Sequence, residues 1–165
     1  MDKYNIVMPQ EVKDIIKQIE AAGFEAFAVG GCVRDCILGR TPQDWDITTS
    51  ALPSQIKEIF ARTIDTGIQH GTVTVMIGKT GYEITTYRID GEYKDCRHPE
   101  NVEFSSDLKD DLKRRDFTIN AMAYNDSTGL VDEFDGINDL NKGIIRCVGD
   151  AKERFTEDAL IMMRA

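Results

Sequence analysis

No stretch of this chain approaches the ~20 consecutive apolar residues of a membrane-spanning helix, and the opening Met1-Asp2-Lys3-Tyr4 carries no signal-peptide pattern. A soluble, cytoplasmic protein with no membrane partner is expected. The four cysteines, Cys32, Cys36, Cys96 and Cys147, form no Cys-x-x-Cys pair and no disulfide-scaffold spacing. They read as small buried hydrophobes in a reducing cytosol. Histidine is scarcer: His70 and His98 stand too far from other ligand types to suggest a zinc site. Positive charge is also short, with 20 Lys and Arg against 29 Asp and Glu, a net charge of -9 at pH 7. Nucleic-acid affinity comes largely from neutralising phosphates, so such a chain does not grip RNA by itself. Either its substrate is small, or a basic RNA-binding region lies outside these residues. The Gly-x-x-x-x-Gly-Lys-Ser/Thr loop of a P-loop kinase is missing, as are internal repeats and low-complexity tracts.

What is present suits one ordinary domain. The 165 residues are 41% hydrophobic and 30% charged, enough for a core of their own. Val12, Ile15, Ile16 and Ile19 recur at helical spacing between Pro9 and Gly23, which predicts a helix over 9–22. Strands are predicted over 24–29 and 45–48, and helices over 33–38 and 53–60. Two β-rich runs, 72–77 and 82–89, flank Gly78-Lys79-Thr80-Gly81 as a hairpin. From Asp90 to Asp107 the chain turns polar and irregular and reads as a mobile loop near the site. A charged helix follows over 108–115, then short strands at 121–124 and 144–148, and a helix over 150–164. Helices mixed with antiparallel hairpins place the chain in the α+β class.

The chemistry concentrates in Gly30-Gly31-Cys32-Val33-Arg34-Asp35, followed by Asp44-Trp45-Asp46-Ile47. On a strand, carboxylates at i and i+2 share one face about 7 Å apart at the backbone. Paired oxygen ligands suit a hard divalent cation such as Mg²⁺ with bound phosphates. The Gly-Gly turn lets backbone N–H groups and a helix N-terminus approach a phosphate, and Arg34 adds a charge-assisted contact. Together these parts describe a site for a metal–nucleoside triphosphate. Asp35 is read as capping the helix or holding Arg34.

Two further segments complete the pattern: Arg114-Arg115-Asp116-Phe117-Thr118-Ile119-Asn120-Ala121, and Glu157-Asp158-Ala159-Leu160 ending at Arg164-Ala165. With them, the sequence resembles the catalytic head of the bacterial class II tRNA nucleotidyltransferase and poly(A) polymerase family along essentially its whole length. The resemblance implies a polymerase-β-like nucleotidyltransferase fold, a small mixed sheet with helices packed on one side. It implies a head over 1–149 and the beginning of a helical neck over 150–165, the remaining neck, body and tail lying elsewhere. The implied activity is template-independent transfer of nucleoside monophosphates from CTP and ATP to the 3′ end of tRNA by two-metal catalysis with Mg²⁺. Asp44 and Asp46 match the family's metal ligands, and Glu83 is the candidate third carboxylate. Gly30, Gly31 and Arg34 match the triphosphate contacts and Arg115 a nucleotide contact. Asp116 is placed to accept a hydrogen bond from the ribose 2′-hydroxyl, and Asn120 is a sugar or supporting partner.

The last motif departs from the family's Glu-Asp-x-Leu-Arg-x-x-Arg. Asp158 and Arg164 match, but Ile161 stands where the base-reading arginine belongs, and an apolar side chain offers none of its five donors. Two alternatives remain open at this level: a poly(A)-adding member of the same family, and a nucleotide-binding module without turnover.

Overall fold

The computed structural model describes residues 6–90 and 102–148. A seven-stranded mixed sheet forms its centre, in the order β3-β4-β5-β2-β1-β8-β9. In chain order these strands are β1 (Ala26–Val29), β2 (Asp46–Thr49), β3 (Thr63–Gly67), β4 (Thr72–Ile77), β5 (Thr80–Thr86), β8 (Ala123–Asn125) and β9 (Gly129–Val131). Between β5 and β8, β6 (Arg88–Asp90) and β7 (Val102–Phe104) pair as a separate two-stranded ribbon. Among the described residues only β2 and β5 run parallel; every other strand pair is antiparallel.

The sheet's two faces do different work. Ala26 and Ala28 of β1 and Ile47 of β2 join one apolar cluster with α1 (Gln10–Ala21), α2 (Gly31–Ile37) and α3 (Pro53–Ile59). Val12, Ile15, Ile16 and Ile19 supply the buried stripe of α1, as their spacing predicts. The alternate residues, Phe27 and Val29, face a second cluster with Tyr87 and with Leu108 and Leu112 of α4 (Leu108–Lys113). Because β residues alternate, Asp46 and Thr48 share this second face.

Several elements differ from expectation. The strand over 45–48 begins at Asp46, so Asp44 precedes it. The helix after the glycine turn begins at Gly31. The proposed strand over 144–148 is a single bridge, Phe117 to Cys147; that segment instead follows the 116–118 backbone through Thr118 N–H to Arg146 O (2.9 Å) and Val148 N–H to Asp116 O (3.0 Å). The described end of the polar 90–107 stretch contains β7, paired with β6, rather than irregular loop. The helix expected over 150–164 lies outside the described residues.

A seven-residue helix, α5 (Gly136–Lys142), also escapes sequence reasoning. Its first two N–H groups donate to the Asp132 carboxylate at 2.6 and 3.0 Å, an anchor reaching from outside the helix. Within α5, buried Asp139 accepts from the Thr118 hydroxyl at 2.7 Å and from Arg146 Nε at 3.1 Å. Thr118's hydrogen bond, with Arg146 behind it, holds the Asp139 carboxyl below the ordinary carboxylate range despite burial. A folded-state value below the unfolded one contributes stability that is full above about pH 4 and is lost as pH falls through the folded value. Thermal melts between pH 6 and pH 3 should therefore fall less steeply for Asp139→Asn than for the wild type, from a lower start. Parallel curves would refute this coupling.

Candidate active site

The strand register assembles the site. Asp46 pairs with Val29 of β1 on one side and with Glu83 of β5 on the other. Val29 leads directly into Gly30, so the glycine turn emerges beside the first carboxylate of β2. Neighbouring strands lie about 4.8 Å apart, which puts Val29, Asp46 and Glu83 in one row at the sheet's end, with Gly30 one residue past it. Asp44 and Asp46 are both exposed while Trp45 between them is buried in the first cluster. That alternation turns both carboxylates the same way even though the strand starts at Asp46. A cleft of about 590 Å³ is lined by Pro42, Asp44, Asp46, Tyr82 and Glu83 among others. Among the described residues no three His, Cys, Asp or Glu side chains converge as a metal-binding group, so Glu83 stands alongside the pair without completing a triad.

Gly30 adopts φ 84°, a left-handed conformation that disfavours any residue with a Cβ. Its N–H is engaged by Met122 O at 3.2 Å, and its carbonyl accepts from Val33 and Arg34 N–H. The turn's N–H groups without an intrahelical acceptor are therefore those of Gly31 and Cys32, which open α2. Cys32 itself is buried and donates to Val29 O at 3.3 Å, and burial pushes its thiol up to about 11. It is a packed hydrophobe, as its surroundings in sequence suggest, and not a nucleophile.

Four expected site residues form one hydrogen-bonded chain. Arg34 Nη1 donates to Asn120 Oδ1 at 2.7 Å, and Asn120 Nδ2 donates to Asp116 Oδ1 at 3.3 Å. Asp35 holds the other edge of Arg34 at 3.1 Å, which settles its role as a tether rather than a helix cap. The link matters because Arg34 and Asp116 lie far apart in sequence. It places the guanidinium expected on the triphosphate and the carboxylate expected on the ribose a fixed distance apart.

Arg115 closes the arrangement. Its Nη2 donates to Asp111 Oδ2 at 3.1 Å, and its Nη1 lies 3.7 Å from where a Gly30 Cβ would stand. Packing around Asp46 raises its carboxyl above the ordinary range; Arg115 opposes that rise and Asp44 adds to it. Burial and the neighbouring carboxylate make the Asp46 charge costly despite Arg115, and a divalent cation would offset that cost. Mg²⁺ is commonly held by one or two carboxylates plus phosphate oxygens, so this donor set fits.

Asp111 is the participant that sequence reasoning missed. It lies in the run Lys109-Asp110-Asp111-Leu112-Lys113-Arg114-Arg115, which the sequence presents only as a charged helix. The signal was present: Leu108, Asp111, Leu112 and Arg115 fall at i, i+3, i+4 and i+7, the buried stripe of a helix. Asp111 is fully buried. Burial pushes its carboxyl up, but the Arg115 and Arg114 guanidiniums outweigh that and hold it below the ordinary range. Asp158 and Arg164 lie outside the described residues.

A family model described as the poly(A) polymerase head domain matches residues 26–146, which contain every described site residue above. The chain belongs to this family. Over 161 residues it is 56% identical to the CCA-adding enzyme of Leuconostoc mesenteroides, covering 96% of this chain and 40% of that one. The CCA-adding enzyme of Bacillus stearothermophilus, solved in complex with CTP, superposes with a TM-score of 0.86 at 46% identity, covering 96% of this chain and 38% of that one. A tRNA nucleotidyltransferase solved with a primer tRNA and an incoming ATP analogue gives 0.69 at 31% identity, over 91% of this chain and 42% of that one. The chain thus spans about 40% of the length of the proteins it matches. The mixed sheet of this head domain and its α+β architecture agree with the fold expected from the sequence. No helix among the described residues is long and apolar enough to cross a membrane.

Proposed function

We propose that this chain is the catalytic head of a template-independent RNA nucleotidyltransferase that adds CMP and AMP, from CTP and ATP, to the 3′ end of tRNA. The observation that carries the reading is the register row of Val29, Asp46 and Glu83, which brings the glycine turn beside the carboxylates, with Arg115 set against Gly30. In this reading Gly31 N–H and Arg34 bind the triphosphate, Asp116 accepts from the ribose 2′-hydroxyl, and Asn120 fixes the spacing between them. Asp44 and Asp46 would hold Mg²⁺, with Glu83 beside them. A divalent cation held there would supply a lower pKa for the attacking 3′-hydroxyl and charge stabilisation for the leaving pyrophosphate. Arg115 adds positive charge where negative charge grows during transfer. Residues 1–149 form the head in this reading, and 150–165 open a helical neck. The tRNA is held mainly by the part of such enzymes that this chain does not span, in keeping with the net charge of -9. Substrates of this kind imply a cytoplasmic site of action.

The test is incorporation of labelled CTP and ATP into tRNA lacking its 3′ end. It compares the chain alone with a chimera joining it to the remainder of the Leuconostoc relative. Product ending in CCA from the chimera supports the reading. Addition of A alone to any RNA favours a poly(A)-adding enzyme, and no product from either protein favours a binding module.

Ile161 bears on base selection. Asp158 alone can accept from the exocyclic amine of cytosine or adenine, while the ring acceptor lacks its arginine partner. A hydrogen bond to a charged group contributes roughly 1.5–3 kcal/mol. Ile161→Arg should tighten CTP and ATP by at least about tenfold in calorimetry and barely alter UTP. Equal affinity for all four nucleotides before and after the substitution would show that position 161 does not read the base.

A further inference from the structure

Asp111 is fully buried and matches no residue expected to meet substrate, yet it sits where three parts of the site join. Its Oδ2 accepts from the Thr48 hydroxyl at 3.0 Å and from Arg115 Nη2 at 3.1 Å. Its Oδ1 accepts from Arg114 Nε at 3.2 Å and from the Arg88 backbone N–H at 3.3 Å. The donors come from β2, from β6 and from the end of α4. Thr48 lies on the same face of β2 as Asp46, two residues along.

We propose that Asp111 is a positioning residue that ties the α4 end to the metal-bearing strand and so holds the Arg115 guanidinium between Asp46 and the glycine turn, against the triphosphate of the incoming nucleotide. This inference rests on the functional reading above. Two features of the geometry support it over plain charge neutralisation. Asp111 Oδ2 is shared by Arg115 and by Thr48, so the arginine is referenced to the strand that carries Asp46. Arg115 then extends past the carboxylate, its second terminal nitrogen reaching the space over Gly30. A side chain with so many rotamers gains most from a fixed anchor when the position of its far end matters.

Calorimetric titration of MgCTP onto the chain tests this. Asp111→Asn, which keeps the size and removes the charge, should weaken CTP at least about tenfold. Arg115→Gln should do the same. The double variant should bind no more weakly than Arg115→Gln alone, because both changes act through one guanidinium. A purely structural carboxylate would lower the melting temperature without this non-additivity. If Asp111→Asn does not fold, Thr48→Val replaces it: the substitution removes one donor and leaves the ion pair. It should weaken CTP by about two- to fivefold alone and not at all beside Arg115→Gln. Wild-type affinity in the folded variant, or losses that multiply with that of Arg115→Gln, overturns the inference and leaves the functional reading intact. A wild-type chain that binds no CTP brings down the functional reading, and this inference with it.

Discussion

Replacing Asp46 by Ala should reduce nucleotide addition by the chimera at least about a hundredfold, equivalent to roughly 2.7 kcal/mol of transition-state stabilisation. Asp44→Ala should behave alike. The two carboxylates are exposed, and each stands on the same side of buried Trp45. Asp46 is also electrostatically uncomfortable as it stands, its carboxyl raised by packing and by Asp44. Removing a group in that state should cost the fold almost nothing, within about 0.5 kcal/mol, or stabilise it slightly. The expected result is therefore a pair of unequal effects: activity lost, melting temperature kept. More than about a tenth of wild-type turnover in either variant would sink the metal-ligand assignment, since a lost ligand costs far more than that.

Gly136→Ala should damage the protein from the opposite direction. A Cβ on Gly136 would run into the backbone carbonyl of Thr118, and the Met122 side chain at 3.2 Å closes off sideways relief. Backbone cannot swing aside as a long side chain does, so overpacking of about 1–3 kcal/mol is expected. The displaced segment is the 3-10 turn Thr118–Asn120, which carries the Asn120 amide that spaces Arg34 from Asp116. Gly136→Ala should thus lower both the melting temperature and MgCTP affinity. Chemical denaturation and calorimetry read the two effects separately. A variant with wild-type values in both would mean that α5 shifts freely and does not brace the site.

Gly136 also illustrates which parts of the molecule could be read from its residues. The stripe of α1, the glycine turn, the hairpin around Gly78-Lys79 and the carboxylate before Ile47 all rest on local patterns, and all form close to where those patterns place them. The missed elements have no local pattern to offer. In β3 the three central residues are exposed, Ile64 included, so no alternation of apolar and polar residues announces a strand. It exists because β4 supplies a ladder, with a register shift between Ile64 and Gly67. Strand β9 is three residues long, and α5 depends on Asp132 to satisfy its first N–H groups. Such elements are set by tertiary partners, which periodicity cannot report.

The site follows the same division. The identity of its residues came from motif spacing and family resemblance, but their connections did not. Arg34 to Asn120 spans a sequence separation no local rule reaches, and Asp111 was concealed by charged neighbours although its helical spacing marked it as buried. Charge on a residue argues for the surface only until its partners are counted. Here Thr48, Arg114, Arg115 and the Arg88 N–H together make a buried carboxylate tolerable.

In the proposed reading Asp44 and Asp46 hold a divalent cation for a nucleoside triphosphate bound at the glycine turn. Electron paramagnetic resonance of Mn²⁺, substituted for Mg²⁺, measures this directly on the chain. The free-Mn²⁺ signal should fall on addition of the chain with CTP by more than CTP alone produces, and Asp46→Ala should abolish the excess. A signal that the wild-type chain leaves unchanged, or an excess that survives in Asp46→Ala, would contradict the account.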